Sequence, residues 1–198
     1  MIVLNEDEQD ALRELLNIAY GHATSSISQI LNAFATLHIP KIEIIPFEEL
    51  RSHIKDKSTN NNDLVGFQSF NGGIKGQSMF LIDDQSSKNL TLHLYGETSS
   101  ENIEDSVLEL TNILSSSIMS KLSESFRTEI NFTAPSVSTV TNANLINYED
   151  ALKYKNVIII TTMLEFQDIS IYGEILIVTD DESLLKIKKA INEILESL

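Results

Sequence analysis

A glutamate followed three residues later by an asparagine occurs twice in this chain, each time inside one longer pattern, D-x3-E-x2-N-x22-P. The first copy is Asp10, Glu14, Asn17 and Pro40. The second is Asp105, Glu109, Asn112 and Pro135, at an offset of 95 residues in all four positions. A glutamate offers a carboxylate to a cation, and an asparagine amide both donates to and accepts from a water or a phosphoryl oxygen. An amide does not titrate, and the pattern holds no strong nucleophile. The chemistry it suits is holding a water in line with its target rather than abstracting a proton from it.

Helical spacing turns each copy into a stripe. At 100° per residue, Asp10, Glu14 and Asn17 fall within roughly 60° of one another over about 10 Å of helix axis. Small residues continue the same face: Gly21, Thr24, Ser25 and Ser28 after Asn17, and Ser116, Ser120 and Ser123 after Asn112, with Met119 at the border. Val107, Leu110, Leu114 and Ile118 point the other way. A solvated helix face ordinarily carries long Lys, Arg and Glu side chains, so a short-chained face suits the close approach of another molecule. Tyr20 and His22 flank the first stripe and Ser115 and Ser117 the second, so their rims are expected to differ. A single E-x-x-N on an exposed helix is unremarkable. Its repetition on the polar side, where core packing does not dictate residue type, favours a site. Asp10, Asp105, Pro40, Pro135, Gly21 and Ser116 read as partner-facing or structural members of the pattern.

The elements that carry the stripes also come in two sets. Periodicity predicts a helix from Glu6 to about Ala35, ended by Pro40, then a strand over Lys41–Phe47 and a surface loop over 48–63. A hairpin follows, Leu64–Phe70 and Ile74–Ile82 around Asn71-Gly72-Gly73, and then a helix over Asp83–Tyr95 capped by Asp83 or Asp84. The second half predicts a helix over Glu104–Arg127 stopped by Pro135, strands at Ser136–Val140, Asn156–Met163 and Ile169–Val178, and a helix over Asp181–Leu198. Gly76, Asp83, Asp84 and Ser86 match Gly173, Asp180, Asp181 and Ser183 at an offset of 97. Two independent correspondences in one order predict a duplicated α-β-β-β-α unit, with repeats near 6–96 and 101–198. The expected fold class is α+β, one pseudo-symmetric domain over residues 1–198.

Composition narrows the partners. The 198 residues carry a formal net charge of −15, which disfavours nucleic acid and anionic membrane surfaces. There is no cysteine, which removes disulfides, thiolate metal sites and a cysteine nucleophile. No apolar run is longer than the four residues Val157 to Ile160, and the first residues lack a signal-peptide pattern, so a cytoplasmic protein is expected. His22, His38, His53 and His93 have no metal-ligand spacing, and no metal set is expected. Gly72, Gly73 and Gly76 lie in a hairpin, out of context for dinucleotide binding, and no G-x-S-x-G is present.

The duplicated D-x3-E-x2-N-x22-P resembles the CheC/CheX/FliY family of chemotaxis phosphatases, and two copies in one chain resemble CheC most. Asn17-Ile18-Ala19-Tyr20-Gly21-His22-Ala23 is similar to the family's N-I-G-x-G-N-A, with Ala19 and His22 departing from it. The resemblance implies a six-stranded, largely antiparallel central sheet with the two motif helices on one face. It implies hydrolysis of the aspartyl phosphate of a CheY-like response-regulator receiver. Asn17 and Asn112 would orient the attacking water, and Glu14 and Glu109 would pair with a receiver lysine. Mg²⁺ would come from the receiver, with no cofactor bound by this chain. The deamidase CheD is a further implied partner, and a monomer is expected because the duplication supplies a pairing internally. The alternative is a non-catalytic receiver-binding module or flagellar switch component of the FliM/FliN type.

Overall fold

The first long helix, α1 (Glu6–Leu31), begins where its own residues complete a capping box. The Asn5 side chain accepts from the Glu8 N–H, and the Asn5 N–H donates to the Glu8 carboxylate, both at 2.8 Å. In this computed structural model, which describes residues 4–38, 41–57, 60–141, 156–166 and 169–196, α1 stops before the expected Ala35. Asn32 takes the left-handed conformation at φ 47°, which asparagine tolerates better than most residues, and its N–H bonds the Ser28 carbonyl. Strand β1 (Ala35–Leu37) then begins at Ala35, where the helix was expected to end. Pro40 lies outside the described residues.

β2 (Lys41–Pro46) follows as expected, but the surface loop predicted after it is partly helical. A 3-10 turn (Phe47–Glu49) leads into α2 (Leu50–Lys57). Eight residues show too little periodicity to be read from sequence, and Leu50 and Ile54 of this helix enter the core. The hairpin is β3 (Leu64–Gly72) and β4 (Gly76–Ile82), turning two residues later than predicted, and α3 (Asp84–Tyr95) is capped by Asp83. In the second half α4 (Ser100–Ser125) starts before the expected Glu104 because Ser99 caps it. β5 (Ile130–Phe132), unpredicted, precedes β6 (Ser136–Thr139), β7 (Asn156–Phe166), β8 (Ile171–Thr179) and α5 (Asp181–Leu195).

All pairings are antiparallel, in the order β1-β7-β8-β4-β3-β5, with β2 also on β7 and β6 also on β3. The eight strands thus stand in six ranks, each edge rank filled by two strands end to end. The register of the two halves corresponds as the expected repeat requires. Ala35 lies opposite Phe166 and Ile130 opposite Gly72; Ile42 lies opposite Ile160 and Val137 opposite Gly66. At the centre β4 pairs β8, with Gly76 facing Thr179 and Gly173 facing Ile82. A Cβ at Gly76 would strike the Phe70 ring, and one at Gly173 the Phe80 ring, so the matched glycines make room for aromatic packing at the join.

Helices α1, α3, α4 and α5 cover one face, with α1 against α4, α3 against α4 and α5 against α1. Their shared core includes Leu16, Ile27, Phe70, Phe80, Leu114, Ile118, Ile175 and Ile191. On the other face Leu50 and Ile54 sit with Val65, Phe67, Met79, Ile159 and Leu176. Between α1 and α5, Glu8 is 2% exposed and takes Lys188 Nζ at 3.0 Å and Asn192 Nδ2 at 3.1 Å. Burial pushes its carboxyl up, but the Asn5 N–H, Lys188 and Asn192 together pull it further down, below the ordinary range.

A depressed carboxyl stabilises the fold above its unfolded-state value and loses that contribution as pH falls through the folded one. Glu8→Gln should therefore melt below the parent at pH 7, with the gap closing once pH drops below about 4, as thermal melts across pH will read. A Cβ at Gly66 would overlap the buried Thr111 side chain of α4, so Gly66→Ala should cost about 1–3 kcal/mol in urea unfolding. Adding Thr111→Ala should restore part of that loss.

Candidate functional site

Asp10, Glu14, Asn17 and Gly21 on α1, and Asp105, Glu109 and Asn112 on α4, are all exposed, as the stripe requires. Ser116 and Pro135 are half-buried. Because α1 and α4 pack side by side, one surface of the molecule carries both stripes. Ile18, 48% exposed, stands next to Asn17 and adds an apolar contact that the small-residue pattern did not include. Tyr95, at the end of α3, adjoins the second stripe. Its phenol is pushed up by burial and by the nearby Glu109 and Asp105 carboxylates.

The two stripes differ in what lies beneath them. Under α4 the support is polar. Gln68 on β3 is 2% exposed, and its Nε2 donates to the Asn112 Oδ1 at 2.8 Å and to the Thr133 carbonyl at 3.0 Å. Ser115 donates to Ser78 on β4 at 2.9 Å, and Thr111 lies over Gly66. Under α1 the residues 95 earlier are Leu16 and Tyr20, both buried in the apolar core. Tyr20 and Ser115 therefore do not rim the site as expected; both face inward, at 2% exposure, leaving His22 and Ser117 as the differing neighbours. Asp10 is held by Arg13 at 2.7 Å, whereas Leu108 stands at the matching place beside Asp105.

Gln68 and Thr133 were not legible in the sequence. A glutamine in an alternating strand reads as an outward polar position, and only the seating of α4 on β3 turns it inward. A signal did exist, since Gln68 falls on the same strand face as Gly66 and Phe70, which are buried.

The exposed surface suits a macromolecular substrate. A recess of about 600 Å³ lined by Asp63, Leu81, Met163, Tyr172 and Glu174 contains none of the stripe residues. Among the described residues, no three or more His, Asp or Glu side chains are grouped to hold a metal ion. No helix is long and apolar enough to cross a membrane among them.

Residues 64–161, which include Gln68, Glu109 and Asn112, match the family model described as chemotaxis phosphatase CheX. Over 143 residues the chain is 24% identical to the CheY-P phosphatase CheC of Bacillus subtilis (strain 168), covering 68% of each. The structure of FliY from Thermotoga maritima superposes with a TM-score of 0.76 at 18% identity, over 97% of this chain and 99% of that one. CheX of Borrelia burgdorferi, solved with CheY, BeF₃ and Mg²⁺, superposes at 0.57 and 13% identity over 82% and 96%. The family-model match, the CheC relative and the shared fold all support the CheC/CheX/FliY family of chemotaxis phosphatases for this chain.

The unlike supports should show in stability. Asn17→Ala should be neutral or stabilising by a few tenths of a kcal/mol, since alanine is the better helix former. Asn112→Ala removes an acceptor from a buried amide and should cost about 1 kcal/mol. Urea unfolding of the two single variants checks the difference.

Proposed function

We propose that the protein hydrolyses the aspartyl phosphate of a CheY-like receiver domain, in the cytoplasm, as part of chemotaxis or a related two-component pathway. The observation that carries this reading is the pair of exposed Glu/Asn stripes on two helices that pack side by side. The match to the chemotaxis phosphatase CheX model supports it, as does the fold shared with a CheX solved against CheY.

Hydrolysis of an acyl phosphate needs a water placed in line and charge compensation more than covalent work by the protein. Asn17 or Asn112 reaches into the receiver's active site, its Oδ1 accepting from the water and its Nδ2 donating to a phosphoryl oxygen. Glu14 or Glu109 pairs with a receiver lysine. The Mg²⁺ belongs to the receiver, and this chain binds no cofactor. The small residues beyond each asparagine let the receiver's loops settle on the helix. A monomer suffices, because α1 and α4 already pair within one chain, and CheD remains a second partner implied by family.

Asn17→Ala with Asn112→Ala should slow receiver dephosphorylation by about 10²-fold or more. Each single variant should retain activity, with the α4 site supplying at least half the parent rate. The lifetime of phosphorylated receiver, followed with each variant, reads this directly. An unchanged lifetime with the double variant would mean that the stripes are merely solvated faces. Binding without hydrolysis by the parent is the outcome that a non-catalytic, switch-type role requires. Light scattering should return about the 22.1 kDa of one chain.

A further inference from the structure

We propose that Gln68 is a positioning residue for Asn112, fixing its amide in one orientation with the NH₂ group outward, and that it thereby makes the α4 site the preorganised one of the two. The inference rests on the phosphatase reading above and adds to it a residue outside both stripes.

The orientation follows from a chain of hydrogen bonds. The Thr133 carbonyl can only accept, so the end of the Gln68 amide that meets it at 3.0 Å must be the nitrogen. That same nitrogen lies 2.8 Å from the Asn112 amide, so the Asn112 atom facing it must be the oxygen. A backbone carbonyl thus sets the sense of two side-chain amides in series. Asn112 is left with Nδ2 directed away from Gln68, and an sp² oxygen bonded once keeps a second lone pair for a water. Both contacts the mechanism asks of Asn112 stay available, and its rotamer freedom is already spent before the receiver arrives.

Gln68 also has no evident packing reason to be an amide. Its Oε1 is buried with no hydrogen-bond partner among the described residues, a cost that an apolar side chain of the same length would avoid. The duplicated register puts Thr162, opposite Ile175, where Gln68 stands opposite Ser78. A threonine carries no amide, so the relay cannot be repeated there in kind. Among the described residues, the Asn17 side chain has no hydrogen bond of this kind.

Gln68→Met keeps the volume and removes both donors. Placed in an Asn17→Ala background, where only the α4 site works, it should lower kcat about tenfold with KM for the phosphorylated receiver changed less than about twofold. Placed in an Asn112→Ala background it should leave the rate supported by Asn17 where it was. An equal loss in both backgrounds would mean that Gln68 is structural, and no loss in the first would mean that it positions nothing. NMR relaxation of the side-chain NH₂ groups of the parent gives a reading independent of catalysis and of whether the variant folds well. Asn112 should be more ordered than Asn17 and should lose that order with Gln68→Met. Equal mobility of the two amides in the parent overturns the proposal even if the protein is an active phosphatase. Absence of dephosphorylation with an ordered Asn112 amide would instead reject the function while leaving the hydrogen-bond relay standing.

Discussion

Each half of the chain gives its edge strands to the other half, and the rest of the structure depends on that exchange. β1 and β2 hydrogen-bond to β7, and β5 and β6 to β3, so neither half closes its own sheet. Buried backbone N–H and C=O groups must find partners, and here those partners lie a hundred or more residues away along the chain for β1 and β2. The exchange also decides where the motif helices go. α1 leads into β1 and packs on it, while α4 leads into β5 and lies on β3. The two helices pack against each other and present their stripes together.

The two halves match in backbone more closely than in lining. The paired registers of the two halves correspond strand by strand, yet the layer between helix and sheet is polar on one side and apolar on the other. Thr111, Ser115, Gln68 and Ser78 on the α4 side are small or hydrogen-bonded, and Gly66 lets the helix come close to the strand. On the α1 side Leu16 and Tyr20 fill the space instead. Burial drives the Tyr20 phenol upward, and its hydroxyl has no hydrogen-bond partner among the described residues, so this ring acts as packing. Two asparagines of one type and one spacing are in consequence held in different ways.

The division of labour between surface and support is also visible at the ends of the helices. Glu8, the last residue of the first capping box, is a buried, fully engaged carboxylate that ties α1 to α5. Glu14, less than two turns on, is exposed. The same residue type serves as an anchor in one place and as a surface charge in the other because Glu8 lies where α1 meets α5 and Glu14 lies on an exposed face. Surface charges of this kind contribute little to folding, which leaves them available for a partner.

The sequence by itself determined the duplication, the two stripes and the α+β class. Those follow from local rules: helical spacing puts Asp10, Glu14 and Asn17 on one face, and strand alternation and caps such as Asp83 and Asp180 mark the other elements. The sequence could not show α2, β1 or β5, because a two-turn helix and strands of three residues carry too few periods to stand out. It also misplaced Tyr20 and Ser115 at the rim, since the width of a buried helix stripe depends on how deeply the helix is seated. Gln68 belongs to the same class. Its role rests on a contact spanning 44 residues of chain to Asn112 and another of 65 to Thr133, and only the pairing of β3 with its neighbours beneath α4 brings those three groups together.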